Sequence, residues 1–177
     1  MKRAWRNGCL LSVLLLAFSG TAAIADDDDD GQLKARLDGF QEVPSISTMG
    51  RGEFRGRISQ DSTSISYRLQ YTNLEAIATQ AHIHFGQRGV SGGVIAFLCW
   101  GGGKPSCPVT SGTVEGTITA ADIIGPAGQG IAPGEFAEVL RAIRHGHTYA
   151  NVHTTTFPGG EIRGQIKADE DEDDDES

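Results

Sequence analysis

The sequence predicts an all-β fold, an antiparallel β-sandwich or barrel with one short helix. Three observations carry this. The central part of the chain is rich in Gly, Thr, Ile and Val, turn-forming residues cut it at short intervals, and apolar and polar residues alternate between the cuts. Helical periodicity is confined to one stretch.

In chain order, strands are expected at LKARLDG (33–39), GEFRGRIS (52–59), SISYRLQYT (64–72), QAHIHFG (80–86), GVIAFLCW (93–100), GTVEGTIT (112–119), TYANVHTT (148–155) and EIRGQIK (161–167). The third shows the alternation most clearly. Ile65, Tyr67, Leu69 and Tyr71 share the core face, and Ser64, Ser66, Arg68 and Gln70 share the other. The helix is expected over 133–146, where Phe136, Val139, Leu140 and Ile143 fall at helical spacing and Gly146 stands where a C-cap would. Short strands of regular spacing with one helical connection fit a sandwich or barrel.

The first 25 residues have the layout of an export signal. MKRAWRNG carries three positive charges, CLLSVLLLAF is largely apolar, and Ala23 and Ala25 stand at a signal-peptidase spacing. The apolar run falls short of the roughly twenty residues needed to span a bilayer. Cleavage after Ala25 and an exported, soluble product, periplasmic or extracellular, are expected, with no membrane span in the mature chain. Cys9 leaves with the leader. Cys99 and Cys107 then remain, bracketing WGGGKPS, and are expected to form a disulfide closing a small loop. Loop closure of this size contributes roughly 2–3 kcal/mol.

Acidity is concentrated at the ends. Asp26–Asp30 is an unbroken run, and Asp169–Glu176 holds eight carboxylates. Residues 31–167 carry ten acidic against twelve basic side chains, so the globular part is nearly neutral. Like-charge runs bury nothing apolar, and residues 26–32 and 168–177 are therefore expected to be disordered solvating segments around one domain at 33–167. A weak calcium association of the acidic ends is the sharper alternative, although no EF-hand loop is present. Nucleic acid is excluded as a partner, because its phosphates demand a basic face.

LDGFQEVPSISTMGRGEFRGRI, AHIHFGQRGVSGGVIAFL, GTVEGTITAADI and YANVHTTTFPGGEIRGQI, in this order, resemble the CHRD domain family over residues 33–167. The resemblance implies a Greek-key, immunoglobulin-like β architecture and an extracytoplasmic setting. It supplies no chemistry, since the family has no established catalytic activity. Its implied partner is an extracytoplasmic protein or surface ligand of unknown identity.

The chemistry-bearing residues are histidines. On a strand, side chains two apart share a face at about 6.5–7 Å, so His82 and His84 project together while Ile83 and Phe85 point inward. The same parity puts Tyr149, Asn151 and His153 on one side of residues 148–155. If the two strands are neighbours, His82, His84 and His153 meet on one surface, a ligand set suited to Cu or Zn with an open fourth position. Copper–zinc superoxide dismutases are similar in placing His-x-His on a sandwich strand, but their long metal-binding loop has no counterpart here. His145 and His147 join only if the turn carrying them folds back over the strand.

The opposing reading is structural, with imidazoles satisfying a polar seam beside Asn151 and Tyr149, and Glu42 with Arg163 forming a carboxylate–guanidinium fork. Tyrosines and Trp100 are expected to be packing. No catalytic constellation is recognisable: no nucleophile elbow, phosphate loop or paired carboxylates in a cleft. Two functions remain: an exported non-enzymatic binding or structural module first, a histidine-ligated Cu or Zn protein second, with oxidative chemistry open to the latter.

Overall fold

The computed structural model describes Met1 and residues 31–168. Residues 2–25 of the expected leader, the acidic run Asp26–Asp30 and the tail Asp169–Ser177 lie outside the described residues. The elements are β1 (Gln32–Asp38), β2 (Arg51–Ile58), β3 (Ser64–Thr72), β4 (Ala78–Phe85), β5 (Gly93–Cys99), β6 (Gly112–Thr119), α1 (Phe136–Arg144), β7 (Thr148–Thr154), β8 (Ile162–Gln165) and β9 (Lys167–Ala168). Every strand expected from alternation forms, and the expected last strand is split at Ile166, whose N–H turns to the Thr148 carbonyl. Gln32 already belongs to β1 and Ala168 pairs with Leu33, so strand structure reaches one residue past each expected boundary.

All strand pairs are antiparallel, and the sheet runs β5-β4-β7-β8-β1-β2-β3-β6, with β9 pairing β1. The neighbours β4/β7, β8/β1 and β3/β6 are not consecutive in the chain, so it crosses over rather than meandering. The outermost strands β5 and β6 approach one another, and the Tyr67 hydroxyl on β3 donates to the Leu98 carbonyl on β5 at 2.6 Å across the gap. Of the two architectures expected, this is a nearly closed barrel.

Period-2 alternation explains the interior. Leu33, Leu37, Phe54, Ile65, Leu69, Ile83, Ile95, Leu98, Ile118 and Ile162 are fully buried in one core cluster. Each such side chain contributes about 1.5–3 kcal/mol on leaving water. The helix stripe Phe136, Val139, Leu140 and Ile143 joins that core. Arg141 and Arg144 in its last turn complement the helix dipole.

Cys99 and Cys107 are bridged, with Cα atoms 5.1 Å apart. Trp100 departs from expectation: it is 58% exposed on the loop side of the disulfide instead of packed. Tyr67 and Tyr71 are core residues, as expected. No helix among the described residues is long and apolar enough to cross a membrane.

Candidate metal centre

The site lies on the outward face of β4, β7 and β8, where loops cover the second parity of each strand. The β4–β7 register sets His82 opposite Asn151, His84 opposite Tyr149 and Gln80 opposite His153. The β7–β8 register sets Asn151 opposite Arg163. His82 and His84 are 5% and 7% exposed, and His153 is half-buried. The expected convergence of His82, His84 and His153 therefore occurs: one nitrogen from each ring lies within 4.8 Å of the other two. Ring centroids are 5.4 Å (His82–His84), 4.9 Å (His82–His153) and 5.8 Å (His84–His153) apart. His145 and His147 do not join them. Both are exposed, beside a separate concavity with Phe85 and Gln129.

Hydrogen bonds assign the tautomers. His84 Nδ1 lies 3.0 Å from the Gly92 carbonyl and His153 Nδ1 lies 3.1 Å from the Pro158 carbonyl. A carbonyl only accepts, so both Nδ1 atoms carry the proton and both Nε2 atoms carry a lone pair. His82 Nδ1 then donates to His153 Nε2 at 3.1 Å. The Nε2 of His84 is buried and has no hydrogen-bond partner among the described residues. An acceptor stranded in this way costs roughly 1–3 kcal/mol.

Burial keeps the rings neutral. It pushes His82 down to about 3, with the neighbouring His153 and His84 adding to the effect. Burial likewise pushes His84 down to about 4, partly opposed by its bond to Gly92, and it lowers His153. Neutral imidazoles are the state a metal requires, and of the three rings His84 offers a free lone pair, on Nε2. For ligation at about 2.1 Å, neighbouring nitrogens stand about 3.4 Å apart in a tetrahedral set. The His82–His153 pair already meets that spacing, and the wider 4.8 Å limit needs a small ring rotation. For His82 to serve as a ligand through Nδ1, its ring would have to carry its proton on Nε2 instead, freeing both nitrogens of the His82–His153 pair.

The remaining predicted residues surround the triad. Tyr149 stacks on His84 with ring centroids 4.8 Å apart and planes 6° off parallel, and its hydroxyl accepts from the Gly92 N–H at 3.0 Å. The Arg163 guanidinium lies 3.4 Å from the Tyr149 ring centre and donates to the Gln87 carbonyl at 3.0 Å. The expected Glu42–Arg163 fork is not formed, because stacking on Tyr149 and the Gln87 carbonyl hold the guanidinium away from the carboxylate. Glu42 is buried and acts on Arg163 only through space. Burial pushes its carboxyl up to about 7, against the lowering effects of Arg163 and the Val43 N–H. Asn151 Oδ1 and Glu42 Oε1 have no partners among the described residues, and both crowd Gly160, where a Cβ would sit 2.6 and 2.5 Å from them at φ +130°.

Three contributors had no signal in residue type. The carbonyls of Gly92 and Pro158 come from loops, and Phe97 on β5 packs edge-on against His82 at 4.7 Å. Gly92 left one trace, the SGG run: a Cβ there would run into the Phe85 carbonyl, so only glycine lets the loop reach His84.

The sequence profile of the CHRD domain matches residues 33–166. The chain belongs to the CHRD domain family. No curated protein and no solved structure gives a significant match. The matched span of this CHRD domain contains the three histidines, the disulfide and the Glu42, Asn151 and Arg163 cluster. Family membership supports a binding or structural module.

Proposed function

We propose that this CHRD domain is an exported module whose His82, His84 and His153 hold one copper or zinc ion. The observation that carries the reading is His84. Its Nδ1 is fixed on Gly92, and its buried Nε2 faces the other rings with no hydrogen-bond partner among the described residues. A purely structural imidazole would have its inner nitrogen paired. The carbonyls behind His84 and His153 are the outer partners that hold metal-ligating histidines in one tautomer. Export is supported by the leader-like first 25 residues and by the cysteine bridge, which persists in oxidising compartments.

The test is elemental analysis of untagged protein after equilibration with one equivalent of copper or zinc. One ion per chain is expected, with loss in His84→Gln and in His153→Gln. Wild-type protein that retains no metal, or a His84→Gln variant that retains as much, overturns the reading. In that case the histidines are a seam closed by the His82–His153 hydrogen bond.

A further inference from the structure

We propose that the triad is a copper site biased toward the univalent ion, and that Arg163 is the residue that sets the bias. The inference rests on metal binding by the triad and adds the oxidation state. Among the described residues, the candidate ligand group contains three histidines and no carboxylate or thiolate. An ion bound by three neutral rings keeps its full charge, so neighbouring fixed charges decide which ion is tolerated.

The fixed charge stacked beside the triad is positive. His84, Tyr149 and Arg163 come from the adjacent strands β4, β7 and β8, so the tyrosine ring lies between the imidazole and the guanidinium. Arg163 is 2% exposed, which leaves little water to screen it. Among the described residues no carboxylate, Glu42 included, forms an ion pair with it, and Arg88 adds charge of the same sign. Glu42, pushed up to about 7, is only a partial counter-charge at neutral pH.

Stacking distances of 3.4 and 4.8 Å put the guanidinium about 8–9 Å from an ion on His84. At an effective dielectric of about 20, one additional unit of positive charge at that range is disfavoured roughly twentyfold to thirtyfold. A divalent ion carries that unit and univalent copper does not. Coordination number points the same way: three nitrogens complete a low-coordinate univalent copper, whereas zinc requires a fourth ligand from solvent.

The experiment is chelator competition on the full chain, with Cu(I) under anaerobic conditions and with Cu(II) and Zn(II) in air. Wild-type protein is expected to bind Cu(I) at least tenfold more tightly than either divalent ion. Arg163→Gln should shrink the Cu(I) over Cu(II) preference by about tenfold or more, and Arg163→Lys should keep most of it, because the charge and not the packing sets the ratio. Tighter binding of Cu(II) or Zn(II) than of Cu(I) by the wild type overturns the proposal, and this holds even where Arg163→Gln fails to fold. An unchanged ratio in a folded Arg163→Gln protein also overturns it, leaving the metal site intact. Binding of none of the three ions instead removes the metal reading itself.

Discussion

Two outward faces of the same sheet have the same strand logic and different fates. On β2 the outward residues are Arg51, Glu53, Arg55 and Arg57, and on β3 and β6 they include Arg68 and Glu115 among serines and threonines. They stay in water: Arg55 pairs with Glu53 at 2.9 Å and Arg68 with Glu115 at 2.5 Å, all four substantially exposed. A concavity of about 610 Å³ lies here and is shallow and arginine-lined. On β4, β7 and β8 the outward residues are His82, His84, Tyr149, Asn151 and Arg163, and all are buried. The difference is the loops. Segments through Gly92 and Pro158 fold over the second face and spend their carbonyls on it, and Gly160 packs against Glu42 and Asn151. Alternation makes a polar face, and a cover makes it a site.

Acid is the strongest way to break the comparison. His82, His84 and His153 all have folded values below the unfolded one of about 6.5. The unfolded chain therefore binds more protons, and stability is full above that value and lost as pH falls toward 4. Each such proton contributes a slope of about 1.4 kcal/mol per pH unit. Thermal melts should fall steeply between pH 6.5 and 4.5. A melting temperature flat across that window would mean the imidazoles are charged in the folded protein.

Removing the cover comes next. Gly92→Ala drives a Cβ into the Phe85 carbonyl and should cost about 3 kcal/mol, with loss of metal retention. Circular dichroism melts and metal content measured together would check it. Loss of stability with full metal retention would separate the loop from the site.

Glu42→Gln sharpens the contrast at smaller scale. The folded value of Glu42 is raised, so its ionisation weakens the fold as pH rises from about 4.5 to about 7. The amide cannot ionise and removes that loss. The variant should melt about 2–5 °C higher than wild type at pH 8 and equally at pH 5. The smallest effect belongs to the open face. A double-mutant cycle on Arg68→Ala and Glu115→Ala should give a coupling below about 0.5 kcal/mol, because both side chains are solvated. A coupling above about 1.5 kcal/mol would show that this face is shielded as well.

The strands and helix were legible because alternation and helical spacing are local properties. Ile65, Tyr67, Leu69 and Tyr71 announce their face in nine residues, and Phe136 to Ile143 do so in eight. The shared face of His82 and His84 was legible for the same reason. His153 needed β4 beside β7, a pairing of strands far apart in the chain, and parity alone settles the face of a side chain without naming its neighbour. Arg163 shows the limit. Its charge pointed to Glu42, but the β7–β8 register brings it over Tyr149, and an aromatic face is as good a partner as a carboxylate. Backbone carbonyls have no letter in the sequence at all, so the groups that orient His84 and His153 were invisible to it.

The barrel stops short of closing between β5 and β6, and the bridge joins Cys99, the last residue of β5, to Cys107, five residues before β6 begins. The pair therefore works as a clasp on the two raw edges of the sheet. With it cut, the strand edges on either side of the gap, joined across it by the Tyr67–Leu98 hydrogen bond, are freer to part, and a free edge is a template for a strand from another molecule. Reduction is then an assembly hazard before it is an unfolding event: the domain would gather into β-rich aggregates at temperatures where its core is still folded.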